Sequence, residues 1–162
     1  MNLAMQIETA FRVRTPPQST VESGSISTPE QLDAIWFVGR NWRDISRADW
    51  ESHGDAFYAF SPKAFVYFLP SILMVSVERP GEYFGVAESL IGILDRSPVV
   101  ENWDEFLVSR LCGLNSSEYA AISEWLLRLS QHDFPYDSDG IARAFDTVQL
   151  LDKESGLADS GR

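Results

Sequence analysis

Two histidines, one cysteine and a scatter of carboxylates are the side chains with which this chain could do chemistry. His132 stands beside Asp133, a pairing that invites a metal reading. Adjacent residues on a helix point about 100° apart, so the two do not converge on one ion. A histidine near a helix C-terminus, where the dipole favours it, is the simpler reading. Cys112 follows Leu107-Val108-Ser109-Arg110-Leu111, and in so apolar a stretch a cysteine is expected to be a small buried hydrophobe. A nucleophilic thiol needs a base beside it, and neither His53 nor His132 belongs to a motif that supplies one. As the single cysteine it forms no intrachain disulfide. The sequence carries no Gly-rich phosphate loop, Cys-x-x-Cys, His-Glu-x-x-His or nucleophile elbow. No catalytic, cofactor-binding or metal-ligating residue is nominated, and no cofactor is expected.

One acidic segment stands apart from this scatter. Between Trp42 and Asp55, the carboxylates Asp44, Asp49, Glu51 and Asp55 crowd around Trp42 and Trp50. A magnesium site asks only for one or two carboxylates plus water, too little to recognise in a sequence. Carboxylates mixed with large aromatics make a protein-binding surface, where aromatic anchors lie within a charged rim. Trp42, Asp44, Asp49, Trp50, Glu51 and Asp55 are therefore the candidate protein-binding residues. The competing reading turns both indoles into the core and leaves only the carboxylates exposed.

The charge balance narrows the choice of partner. Thirteen Lys and Arg stand against 24 Asp and Glu, a formal net charge of -11. Nucleic-acid binding requires a positive surface that displaces counterions, and this chain has no Lys/Arg cluster and only two lysines, Lys63 and Lys153. Anionic membranes should repel it as well. The expected partner is a basic protein, while keeping the chain soluble is the plainer role for its acidity. Met1 to Phe11 lacks the basic start and apolar run of a signal peptide. Ala64 to Val77 falls short of the roughly 20 residues that span a bilayer. The expected location is the cytoplasm.

The elements that must position these residues read as helices throughout. Leu3, Ile7, Ala10 and Phe11 have helical spacing. Arg14 to Ser27 reads as a long loop, mobile or functional. Thr28-Pro29-Glu30-Gln31 gives a cap, a first-turn proline and capping-box spacing, ahead of an apolar stripe of Leu32, Ile35 and Trp36. Ser61-Pro62 opens a central helix that is apolar nearly all round, with Phe65, Phe68, Leu69, Ile72 and Leu73 on one face. Pro70 lacks an N–H and crowds the Val66 carbonyl, which predicts a kink or break. Further helices are expected from Val86 to Arg96, from a cap at Asn102, from Asn115 with Glu118, and after a turn bracketed by Pro135 and Gly140. Phe65, Phe68, Leu69, Ile72, Leu111, Ile122 and Leu126 are expected to be buried together. No segment alternates like a strand, and no repeat appears. The expected fold is all-α: a single compact bundle of six to eight helices spanning residues 1–154 around a Pro-kinked central helix, with 155–162 as a flexible tail.

The run Ser61-Pro62-Lys63-Ala64-Phe65-Val66-Tyr67-Phe68-Leu69-Pro70-Ser71-Ile72-Leu73 resembles the Pro-x-Ala-Phe-x-Tyr-aromatic-Leu-Pro pattern of a bacterial family of small acidic domains of unknown function. Trp42-Arg43-Asp44-Ile45, the aromatics from Phe57 to Phe60, and Leu114-x-Ser116-x-Glu118 followed by Trp125-Leu126 resemble it too. The resemblance implies no reaction and no catalytic residue; it implies an orphan protein of the kind found beside polymorphic toxin or immunity genes. The expected function is a non-catalytic protein-binding module, an immunity-type inhibitor of a cytoplasm-acting toxin encoded by a neighbouring gene. The alternatives are a small helical enzyme or ligand-binding domain, with a pocket beside Pro70 lined by Tyr67 and Trp42, and a housekeeping interaction protein.

Overall fold

The computed structural model describes residues 1–22, 24–132 and 135–161. All regular structure among them is helical: α1 Leu3–Phe11, α2 Pro29–Trp36, α3 Arg47–His53, α4 Ala56–Ala59, α5 Pro62–Glu78, α6 Gly85–Leu94, α7 Glu105–Leu111, α8 Ser116–Ser130 and α9 Ser138–Ser160, with 3₁₀ turns at Trp42–Asp44 and Val100–Asn102. The nine α-helices exceed the expected six to eight because the stretch between α2 and α5 folds into two short helices and a turn. Asp133 lies outside the described residues, and His132 follows the C-terminal end of α8.

Helix starts follow local chemistry. Thr28 and Gln31 form a full capping box on α2, and Asn115 and Glu118 do the same on α8. Asp104, not Asn102, caps α7: its side chain accepts from the Leu107 N–H, while Asn102 ends the preceding 3₁₀ turn. Gly140 lies inside α9 and not in a turn before it, because Asp137 caps that helix by accepting the Gly140 N–H at 2.9 Å. The same helix continues to Ser160, and the Ser155 hydroxyl donates to the Leu114 carbonyl.

Helix α5 is the axis of the bundle. Phe65, Phe68, Leu69, Ile72 and Leu73 are buried, as are Leu111, Ile122 and Leu126 from α7 and α8. It packs against α1, α6, α7, α8 and the 3₁₀ turn at Trp42–Asp44. Pro70 is inside it, and the helix runs on without a break. The missing N–H removes the Val66 carbonyl's usual partner, but neighbours on every side hold the helix together across that gap. Two serines of α5 bind distant indoles: Trp50 Nε1 donates to Ser71 Oγ at 2.9 Å, and Trp125 Nε1 to Ser76 Oγ at 2.6 Å. Each supplies the acceptor that a buried indole requires.

The long loop after α1 is pinned where sequence suggested freedom. Thr20 is buried; its hydroxyl donates to the Ala34 carbonyl at 2.6 Å, and its own carbonyl accepts the Ser61 N–H at 2.8 Å. One residue thus ties α2 to the start of α5. Cys112, expected in the core, is exposed: α7 ends at Leu111, and the next residue turns away from the apolar face. Its thiol pKa is raised, first by partial burial and then by Glu154, which disfavours the thiolate.

Two buried phenols set an alkaline limit on the fold. Burial raises the pKa of Tyr119, whose hydroxyl donates to the Leu111 carbonyl, and that of Tyr136, which accepts the Phe84 N–H. The folded chain favours the neutral phenols, so their contribution is complete below the ordinary tyrosine value of about 10 and declines as pH climbs past it. Urea midpoints measured across alkaline pH are expected to hold steady to about pH 9 and fall above pH 10. Tyr119→Phe should make that fall shallower.

Candidate protein-binding face

Helix α2 carries its apolar stripe on the side away from the core. Ala34 and Phe37 are fully buried, whereas Leu32 is 62% exposed and Ile35 and Val38 also face outward. Positions 34 and 37 lie opposite 32 and 35 on the helical circle, so only one pair can face inward. Phe37 takes that place because it meets Trp50, Phe60 and Phe68 at ring-centroid distances of 4.9 to 5.0 Å. Of the apolar stripe read from the sequence, Leu32, Ile35 and Trp36, the first two face outward and Trp36 is partly buried against the core.

Trp36 borders the outward pair. Its ring stacks on His53 at 4.3 Å, and the Arg40 guanidinium lies 3.7 Å from its centroid. His53 Nδ1 is 3.1 Å from Asp33. These contacts fasten α2 against α3 while leaving Leu32 and Ile35 free.

The six residues singled out in the sequence divide in two. Trp42 and Trp50 are buried, so neither indole is available to a partner. The Arg43 guanidinium covers the Trp42 ring at 4.4 Å, and Trp50 packs on Phe37. The carboxylates stay at the surface in different states. Asp49 is committed to the Ser46 capping box, and its pKa is lowered chiefly by the hydrogen bond from the Ser46 backbone. Glu51 pairs with Arg47 at 3.2 Å. Asp44 and Asp55 are exposed and make no ion pair among the described residues.

A cleft of ≈ 390 Å³ brings Glu51 and Asp55 together with Tyr58, Phe84 and Ser89, between α3–α4 and the start of α6. Tyr58 is 53% exposed and takes the aromatic place that sequence assigned to the tryptophans. Sequence reasoning missed Leu32, Ile35, Val38 and Tyr58. The available signal was the second apolar pair, Ala34 and Phe37, on the opposite side of α2. Of the residues expected to line a pocket beside Pro70, Tyr67 lines a cleft at the start of α5, and Trp42 and Pro70 are not among that cleft's lining residues. Among the described residues no three His, Cys, Asp or Glu side chains gather as a metal site, and no helix is long and apolar enough to cross a membrane. The motif from Ala64 to Leu73 is buried along its length, so its regularity is chiefly one of packing; only Val66 and Tyr67 of this run line a cleft. No family model matches the chain, and neither a curated protein nor a solved structure shows a significant match to it.

Proposed function

We propose that the chain is a protein-binding module for a basic partner, an immunity-type inhibitor of a cytoplasm-acting bacterial toxin, and that α2 to α4 form its docking face. The observation that carries this reading is the outward pair Leu32 and Ile35 on α2, with Val38 exposed in the turn just beyond it, flanked by acidic side chains. Contiguous apolar surface of this kind marks a contact with another molecule. Glu30, Asp33, Glu51 and Asp55 provide an acidic rim on α2 and around the adjoining cleft, and the net charge of -11 extends the attraction beyond contact range. The occupant that complements both features is a protein with apolar anchors set among Lys and Arg.

The test is binding to the product of the adjacent gene at low and high salt. Association should slow as salt rises. Leu32→Asp combined with Ile35→Asp should weaken the complex by about tenfold or more, since central apolar anchors dominate such interfaces. Asp55→Lys should chiefly reduce the association rate and its salt dependence. All three positions are exposed, so the thermal unfolding of the free variants should stay close to that of the parent. No complex with any adjacent gene product, or a complex indifferent to these substitutions, overturns the reading.

A further inference from the structure

A cleft of ≈ 360 Å³ opens where the segment after α1 meets the start of α5 and the end of α7. Its walls include Arg14, Lys63 and Arg110, and not one of its lining residues is a carboxylate. In a chain with nearly twice as many acidic as basic side chains, three cations around one acid-free cleft are a marked local reversal of charge.

The cations are differently committed. Arg14 is held by Glu118 through Nε and Nη2, both at 2.7 Å. Lys63 and Arg110 enter no ion pair among the described residues. Arg110 is nevertheless fixed: it donates to the Phe60 carbonyl at 2.8 Å and to Ser109 Oγ at 2.9 Å, and its guanidinium lies 3.9 Å from the Phe106 centroid. Its Nε is enclosed and without a partner. Backbone and aromatic contacts position this charge without neutralising it. Glu22 and Glu105 act on Arg110 from outside the cleft; Glu22 lines the neighbouring one.

Two further groups favour an anion here. Lys63 lies in the first turn of the 17-residue α5, whose positive dipole end therefore adjoins the cleft. Tyr67 is 2% exposed and lines the cleft, yet its hydroxyl makes no hydrogen bond among the described residues and is not among the enclosed polar atoms. An almost wholly buried phenol that lines the cleft is thus left with a hydroxyl that has no hydrogen-bond partner among the described residues.

We propose that this cleft binds a small phosphate-bearing ligand, with Lys63 and Arg110 on the phosphate oxygens and the Tyr67 hydroxyl donating to the same group. A tetrahedral dianion suits an ammonium, a guanidinium and a phenol that line one cleft. The volume exceeds what a bare phosphate fills, and Val13 and Val66 offer apolar wall to an organic body, so a phosphomonoester fits better than the free ion. The site is separate from the α2–α4 face.

The experiment is calorimetric titration of the whole chain at low ionic strength with inorganic phosphate, ribose 5-phosphate and adenosine monophosphate, using chloride as the control. Saturable binding of at least one ester, tighter than that of phosphate, is expected; phosphate binding most tightly would assign the cleft to the free ion and overturn the ester. Lys63→Glu should weaken binding by about tenfold or more while leaving the unfolding curve unchanged, because an exposed acid in a helix's first turn is well tolerated. Tyr67→Phe should weaken it less. Absence of saturable binding to all three probes at millimolar concentration, or unchanged affinity in Lys63→Glu, overturns the proposal. Loss of partner binding at α2–α4 has no bearing on it, which keeps the two failures distinguishable.

Discussion

Phe68→Ala is expected to lower the free energy of unfolding by about 3–5 kcal/mol, the range for truncating a large core aromatic. Phe68 is 1% exposed and sits where three elements meet. Its ring contacts Phe37 beyond α2 at 5.0 Å and Phe60 after α4 at 5.3 Å, the second pair stacked. Phe37 and Phe60 are themselves in contact at 5.0 Å, and Phe37 also leans on Trp50 at 4.9 Å. Rings braced against one another in this way close poorly over a void, so the cavity penalty adds to the lost burial. Against a total stability of roughly 5–15 kcal/mol for a domain, this is a large fraction. Urea denaturation should show a lower midpoint at an unchanged slope. An unchanged midpoint would remove Phe68 from the core. The effect should reach the docking face, since Phe37 anchors the helix that presents Leu32 and Ile35; partner binding should weaken in Phe68→Ala even where the chain remains folded.

The parts of this fold legible in the sequence are those set by short-range chemistry. Thr28 with Gln31 and Asn115 with Glu118 act over three residues, and both capping boxes form. The buried run of α5 was legible because a helix apolar on every side has only one stable environment. Where local patterns offered two answers, long-range packing chose. In α2 the sequence holds two apolar pairs on opposite sides, and the aromatic cluster around Phe37 decides which faces inward. Trp42 and Trp50 are read from sequence equally well as anchors for a partner or for the core; the acceptor that settles Trp50 is Ser71, far along the chain. Cys112 and Gly140 were misplaced for a simpler reason, the position of a helix end: α7 stops at Leu111, one residue before the cysteine, and Asp137 takes the cap of α9 ahead of Gly140. The candidate site was half legible. Its carboxylates followed from composition, but its apolar centre lies on a neighbouring helix whose stripe of Leu32 and Ile35 the sequence showed without showing which way it faces.

Arg14→Met is expected to cost about 3 kcal/mol, near the lower end for breaking a buried ion pair by removing one partner. Glu118 is fully buried and takes both of its contacts with Arg14 at 2.7 Å, while Arg14 keeps 31% of its side chain in solvent. Removing the guanidinium strands an enclosed carboxylate whose remaining support is the Asn115 N–H at 3.1 Å. That surviving hydrogen bond keeps the expected loss from the upper end of the range. Glu118→Gln in the same chain removes the stranded charge and preserves an oxygen to accept from Asn115, so the double variant should recover a substantial part of the stability. A double-mutant cycle in urea should therefore return a coupling of about 1–3 kcal/mol. A loss under about 0.5 kcal/mol in Arg14→Met would place the pair with ordinary surface ion pairs. Arg14 also reaches the Gly113 carbonyl at 3.4 Å, so it fastens the segment after α1 to the junction of α7 and α8. That junction forms one wall of the cation-lined cleft, and weaker phosphate-ester binding by Arg14→Met should accompany the stability loss even under conditions where the variant is fully folded.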